Sequence, residues 1–342
     1  MELGRPRARA AIAARGDALS ALEARAGSGD RERCFAPARL LEDCDRYGIA
    51  VTGSEEGRFP ELLRHIPDPP LALFSIGALP RSDAAAVAVV GARRCSRLGR
   101  EVACQLGWEI AAAGVCVVSG LALGIDAAAH EGALDGPGGG RAIAVLGCGL
   151  AQIYPRRNEP LARRVLASGG ALISEYPPEV PPAKSRFPER NRLISGLSQA
   201  VIVVEAGERS GSLITARMAL EQGREVMAVP GPVSGGASRG CHRLLREGAG
   251  LVECAGDVLE ALNLPLHATA RSGGSDLAAG LGETLNRVLT AVEPVTTTMD
   301  ELVVLTGMAP EALSVCLIDL ELAGFVERVP EGYIRRPFSP GT

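Results

Sequence analysis

The sequence holds a single lysine, Lys184, although lysine and arginine together number 36 of its 342 residues. A phosphate-binding loop of the Gly-x-x-x-x-Gly-Lys-Ser/Thr type needs its lysine on the outer phosphates, and Lys184-Ser185 follows Ala183 instead of glycine. A pyridoxal Schiff base would have to use the same residue. Aromatic residues make up only 3% of the chain, too few for a long base-stacking platform. The nine cysteines are odd in number and none are spaced Cys-x-x-Cys, which argues against a disulfide framework and a zinc site. No run approaches the roughly 18 apolar residues that span a bilayer. The opening residues lead into no compact apolar segment with a cleavage site. The expectation is therefore a cytoplasmic protein with no membrane association, no metal and no resident cofactor.

What is present is ordinary for a folded chain: 46% hydrophobic residues, 22% charged and a net charge of −4. The length suggests two or three domains. Residues 1–83 read as a degenerate helical N-terminal region, with a short helix near Ala38–Tyr47 and a proline-marked connector leading to Leu71–Ile76. From residue 84 to 262, short apolar runs ending near glycine or proline alternate with helical stretches. These runs are Val87–Val90, Val115–Val118, Ala142–Leu146, Ala171–Ile173, Val201–Val204 and Val226–Val229. Continuous apolar strands alternating with helices predict an α/β, Rossmann-like doubly wound parallel sheet covered on both faces. Residues 263–280 read as a linker, and 281–336 as three helices and a hairpin, the pattern of a winged-helix domain.

In such a sheet the strand-to-helix loops gather at one edge, where ligands bind. Four of them are glycine-rich and polar: Gly91–Ser96, Ser119–Asp126, Ser210–Thr215 and Gly231–Gly240. Glycines let backbone N–H groups approach an anion, and a helix N-terminus adds partial positive charge. For any one loop, tight packing is the plainer explanation. Four converging loops favour a phosphate-bearing ligand. None reads Gly-x-Gly-x-x-Gly after the first strand, so a dinucleotide cofactor is disfavoured. His130 lies one helical turn after Asp126, where the pair could face each other, although a capping Asp and a packed histidine explain the spacing as well. Glu175 and Glu205 end strands and find no partner in the sequence pattern. The segment Lys184–Arg192 carries four cations, one phenylalanine and one asparagine, and suits either a polyanion or a solvated, ion-paired loop. No catalytic constellation emerges.

Several motifs occur together in order: Ser119-Gly-Leu-Ala-Leu-Gly-Ile-Asp-Ala-Ala-Ala-His130, Ala144–Leu150 with Tyr154-Pro155, Ser174-Glu-Tyr-Pro-Pro178, Phe187–Leu197, Ser210–Thr215 and Arg224–Gly231. Over roughly residues 59–260 this series resembles the DNA-processing protein A family, also called Smf. The resemblance implies a Rossmann-like domain that binds single-stranded DNA without chemistry, forms a homodimer and helps load a RecA-type recombinase during natural transformation. It implies DNA or phosphate contacts from Arg93, Ser96, Ser119, Gly120, Lys184, Phe187, Arg190, Asn191, Arg192, Ser210, Gly211, Ser212 and Thr215. Arg93, Lys184 and Arg190 would neutralise phosphates, and Phe187 would stack on a base. Leu123 stands where the family usually has an arginine, and the family's helical leader is not visible before Ala38. The third helix of the winged-helix region, Pro310–Ala323, carries Glu311, Asp319 and Glu321 with no Arg or Lys. Such a helix would repel duplex phosphates, so a protein contact or structural support suits it better. Two rivals remain open. A nucleotide-derivative hydrolase or nucleotide sensor could use the same pocket, with Glu205 as its best carboxylate, and a winged-helix transcription regulator would prefer one duplex sequence.

Overall fold

The computed structural model describes residues 37–79, 84–136, 140–264, 283–293, 296–322 and 325–335. The chain divides into two units, residues 1–266 and 267–342. The start of the expected N-terminal region, residues 1–36, lies outside the described residues, as does nearly all of the 263–280 linker.

The first unit is built on one nine-stranded sheet. Its elements in chain order are α1 (Pro37–Tyr47), β1 (Ala50–Gly53), α2 (Glu61–Arg64), β2 (Ala72–Gly77), β3 (Ala86–Val90), α3 (Arg97–Ala112), β4 (Cys116–Ser119), α4 (Ile125–Asp135) and β5 (Ala142–Leu146). There follow α5 (Glu159–Ala167), β6 (Ala171–Ser174), α6 (Arg186–Gly196), β7 (Ala200–Val203), α7 (Ser212–Glu221), β8 (Glu225–Ala228), α8 (Arg239–Arg246), β9 (Gly250–Leu251) and α9 (Ala255–Ala261). The spatial order is β1-β2-β6-β5-β4-β3-β7-β8-β9, parallel from β6 to β9. Each of the six expected strands is present within a residue of its predicted position.

Side chains of a strand alternate between faces. Val87 and Val89 of β3 join one core with Val117, Ala144 and Ile202, against Ile110 of α3, Ile125 of α4 and Val165 of α5. Ala86, Ala88 and Val90 join the other with Val118, Ile143 and Val201, against Leu193 of α6, Ala216 of α7 and Leu244 of α8. Both faces are thus covered by helices, which explains why the strands read as unbroken apolar runs. Helices α3 and α4 pack closely enough that a Cβ at Gly132 would lie 1.8 Å from the Cys104 carbonyl oxygen.

The N-terminal part differs from its expected helical character. Residues 50–77 supply β1 and β2, an antiparallel pair that joins the sheet by pairing β2 antiparallel to β6. The sheet therefore begins ahead of residue 84. Prolines around α2 gave the stretch the look of a connector, yet Leu73 and Phe74 of β2 are buried core residues.

The second unit contains α10 (Glu283–Ala291), α11 (Met299–Thr306), α12 (Pro310–Leu322) and the hairpin β10 (Val326–Val329) and β11 (Gly332–Arg335). Leu289, Leu302, Leu313, Leu317, Leu320 and Val326 form its core, the three-helix-and-wing arrangement the pattern predicts. Thr298 and Glu301 form a capping box at the start of α11. On α12 the apolar Val315, Ile318 and Leu322 face solvent beside exposed Glu311, Asp319 and Glu321. Among the described residues no single helix is long and apolar enough to cross a membrane.

Candidate nucleic-acid interface

The chain starts its parallel sheet at β3, winds outward through β4, β5 and β6, then returns to lay β7 on the opposite side of β3. The connections after β3 and β7 therefore leave in opposite directions and open a crevice at the carboxyl edge. Ala92 N–H donates to the Glu205 carbonyl at 2.7 Å and ties the two loops together. Ser96 caps α3, its hydroxyl accepting from Gly99 N–H at 2.9 Å. The buried Glu205 carboxylate takes the Ser96 N–H at 2.9 and 3.2 Å, and the Ser96 hydroxyl donates to it as well. The positive end of α3, the usual seat for a phosphate, is thus filled by the protein's own carboxylate. Ser96 anchors the loop, and both Glu205 oxygens accept hydrogen bonds from it.

On the rim of this crevice the exposed Arg93 guanidinium carbon lies 4.8 Å from the centroid of the Phe187 ring, a cation–π contact. The Tyr154 ring stands 5.7 Å from Phe187, tilted by 34°. Lys184 is exposed on the turn entering α6, and Arg94 and Arg209 are exposed on the loops after β3 and β7. Among the described residues none of these four cations has an ion-pair partner. The arginines on helix flanks behave differently: Arg97 pairs with Glu101 at 2.8 Å, Arg164 with Asp135 at 2.6 Å, and Arg217 with Glu221 at 2.9 Å. Flank charges are neutralised locally, whereas the loop edge keeps net positive charge for an external anion.

Two of the expected phosphate contacts, Arg190 and Arg192, are buried. Arg190 is 4% exposed, and its Nη1 donates to the Gly120 carbonyl at 2.8 Å and to the Val145 carbonyl. The β4–β5 ladder ends at Ser119–Ala144, so Arg190 bridges the carbonyls just past the point where these strands diverge. Burial lowers its pKa to about 10, opposed mainly by the nearby Asp126 carboxylate. A Cβ at Gly120 would sit 2.5 Å from Arg190 Nη2, so only glycine permits this contact. Arg192 is also buried, with Nη2 donating to both Glu175 oxygens at 2.6 and 2.7 Å and Nε to Asp68 at 3.1 Å. Arg186 reaches the Pro181 carbonyl and lies 5.3 Å from the Tyr176 ring. Of the four cations in Lys184–Arg192, Lys184 is exposed, Arg186 is half-buried, and Arg190 and Arg192 are buried.

The small polar residues divide in the same way. Ser119 is buried and donates to the Val89 carbonyl at 2.6 Å, and Thr215 is buried within α7. Buried Ser212 shares a 2.7 Å hydrogen bond with Ser210, which is only partly covered. Gly211 is exposed, and its carbonyl accepts from Asn191 Nδ2 at 3.4 Å, joining the start of α7 to α6. Asp126 and His130 do not pair. Asp126 Oδ2 accepts from Gly120 N–H at 3.1 Å, and burial raises its pKa against the pull of Arg190. Both His130 ring nitrogens are buried without a hydrogen-bond partner among the described residues, and burial, with Arg190 nearby, lowers its pKa to about 4.

Both Glu205 and Arg190 were visible as candidates, but their structural partners were not. Glu205 needed knowledge that its strand ends beside the start of α3, a long-range fact. Arg190 did leave a signal: Arg190, Leu193, Ile194 and Leu197 fall at the spacing of one helix face, and all four are buried.

Fold and edge together define a Rossmann-like α/β protein with a cationic, ring-bearing loop edge and a separate winged-helix unit. A family model described as DNA recombination-mediator protein A matches residues 50–263, and one described as the DprA winged helix domain matches residues 275–332. The chain belongs to the DNA recombination-mediator protein A family. Protein Smf of Escherichia coli is 45% identical over 285 residues, covering 81% of this chain and 75% of the relative. DNA processing protein DprA of Bacillus subtilis is 42% identical over 225 residues, 66% of this chain and 75% of its own. The X-ray structure of DNA processing protein A from Streptococcus pneumoniae matches with a TM-score of 0.62 at 40% identity, over 72% of this chain and 85% of that one. DNA processing protein A from Helicobacter pylori, described for its unique single-stranded DNA binding mode, matches with a TM-score of 0.56 at 30% identity, over 63% of this chain and 95% of its own.

Proposed function

We propose that this protein binds single-stranded DNA along the loop edge of its Rossmann-like unit. It would act without catalysis, as a cytoplasmic homodimer, and present the strand to a RecA-type recombinase during transformation and recombination. The observation that carries the DNA contact is Arg93 held over the Phe187 ring at the switch point, with Lys184, Arg94 and Arg209 exposed on the same loop edge and without ion-pair partners among the described residues. Every base has a π-face, so a ring with cations beside it favours unpaired bases without choosing among sequences. Arg93 and Lys184 hold phosphates, Phe187 receives a base, and Ser210, Gly211 and Asn191 line the neighbouring opening. Arg190, Arg192, Ser119, Gly120, Ser212 and Thr215 shape the loops from beneath, and the exposed Ser96 anchors the loop after β3. The recombinase and the dimer are supported by the family alone. The test is fluorescence anisotropy of labelled single-stranded and duplex oligonucleotides across a salt series. Tighter, salt-dependent binding to single strands is expected. Binding of mononucleotides with no oligonucleotide binding at low salt would replace this proposal with a nucleotide sensor.

A further inference from the structure

The loop between β5 and α5 carries the row of rings toward two more cations. Tyr154, in contact with Phe187, is 42% exposed, so much of its ring remains open beside the Arg93–Phe187 pair. Directly beyond it Arg156–Asn158 form one 3-10 turn. The buried Asn158 fastens that turn, its Nδ2 donating to the Leu121 carbonyl at 2.9 Å on the β4–α4 loop. The preceding stretch is laced to the segment that leads to Lys184, through Gly149 N–H to the Val180 carbonyl at 2.8 Å and Ala151 N–H to the Pro178 carbonyl at 2.9 Å. Arg156 and Arg157 therefore project from an anchored turn. Both are exposed, and neither has an ion-pair partner among the described residues. One turn further on the situation changes, with Arg163 paired to Glu159 at 2.7 Å and Arg164 to Asp135 at 2.6 Å. The nearest acid, Glu159, is engaged by Arg163, so the two adjacent arginines repel one another, and an external polyanion relieves that repulsion.

We propose that a bound single strand continues past Phe187, across the Tyr154 ring, to phosphate contacts with Arg156 and Arg157. This extends the single-stranded DNA assignment above and rests on it. The turn adds length to the binding track: a short oligonucleotide fills the Arg93–Phe187 site alone, and a longer one engages the turn as well.

The experiment compares the full chain with the Arg156→Gln/Arg157→Gln variant by anisotropy across a salt series. The probes are oligothymidylates of about 4 and about 15 nucleotides, lengths within the range one binding domain accommodates. On the longer probe the variant should bind on the order of tenfold more weakly at moderate salt, with a salt slope lower by about 1.4, or about 0.7 for each phosphate no longer neutralised. On the shorter probe it should match the parent. Arg156→Lys/Arg157→Lys should restore the slope on the longer probe, because the charge returns. Matching melting temperatures for all three proteins should confirm that the turn still folds. An unchanged slope on the longer probe would overturn the extension while leaving the Arg93–Phe187 assignment standing. Equal loss on both probes would also overturn it, by showing that the turn acts through the first site. A parent chain that binds neither probe at low salt would overturn the extension together with the DNA assignment beneath it.

Discussion

Replacing Arg190 separates two jobs that a motif alone confounds. If its guanidinium met phosphate, Arg190→Met would leave stability intact and flatten the salt dependence of binding. The geometry requires the reverse. The substitution removes two charge-assisted hydrogen bonds, leaves the Gly120 and Val145 carbonyls short of a donor, and deprives the buried Asp126 of its main cationic neighbour. Methionine preserves most of the apolar stem, so the loss is chiefly polar. Breaking a buried, hydrogen-bonded charge costs about 3–5 kcal/mol. For a unit of this size that corresponds to a fall in melting temperature on the order of 10 °C.

Thermal and urea unfolding of Arg190→Met, beside Arg93→Ala, supply the assay. Arg93→Ala should unfold like the parent, because its side chain is exposed and lies over the face of Phe187. Its salt slope for single-stranded DNA should drop by about 0.7. Arg190→Met should lose stability and, while still folded at low temperature, keep its slope. Adding Asp126→Asn to Arg190→Met should cost less than the two single changes summed, with a coupling of about 1–3 kcal/mol. An Arg190→Met protein that melts with the parent but binds with a flattened slope would refute the structural role and return this residue to the phosphates.

Phe187→Ala should weaken binding to oligothymidylate by about 1–3 kcal/mol with little change in salt slope, since a stacked ring carries no charge. A slope that fell with it would show that the ring mainly positions Arg93. Glu175→Gln should destabilise the first unit by about 1–3 kcal/mol through the buried Arg192, with DNA affinity at low temperature unchanged. His130 titrates near 4 in the native state against about 6.5 unfolded, so the unfolded chain takes up the proton first as pH falls. Native stability should therefore decline from about pH 6.5 to pH 4, by about 3 kcal/mol over the whole interval, and be independent of His130 above it. Asp126, with its raised pKa, acts in the opposite sense in acid. The quantity to measure is accordingly the difference in urea stability between the parent and His130→Gln at several pH values, and a flat difference would contradict the burial. Val315→Ser/Ile318→Ser on the acidic, apolar surface of α12 should leave both affinity and salt slope for single strands unaltered, and a lower affinity would place that helix on the DNA.

What could be read from the sequence follows from how far each interaction reaches. The parallel strands were legible because helices on both faces make every position apolar, and the loops between them because glycine and serine punctuate each turn. Strand β1 was not. Its four residues, Ala50–Gly53, pair only with β2 at the rim of the sheet, and prolines around α2 disguise both strands as connector. The site divided along the same line. Arg93, Lys184 and Phe187, which the family resemblance marks, lie on the loop after β3 and at the entrance to α6, where side chains stay at least partly exposed. Arg190 and Arg192 belong to the same basic run, yet once α6 forms, the helical repeat turns them inward, where carbonyls of β4 and β5 and the carboxylates of Glu175 and Asp68 receive them. A cluster of cations in sequence is therefore a cluster at the ligand only where the backbone leaves it at the rim. Here one helix takes its exposed lysine and ring at the entrance and its buried arginines a turn later, so losing charge at the two places should register in different measurable quantities: counterion release for the first, folding free energy for the second.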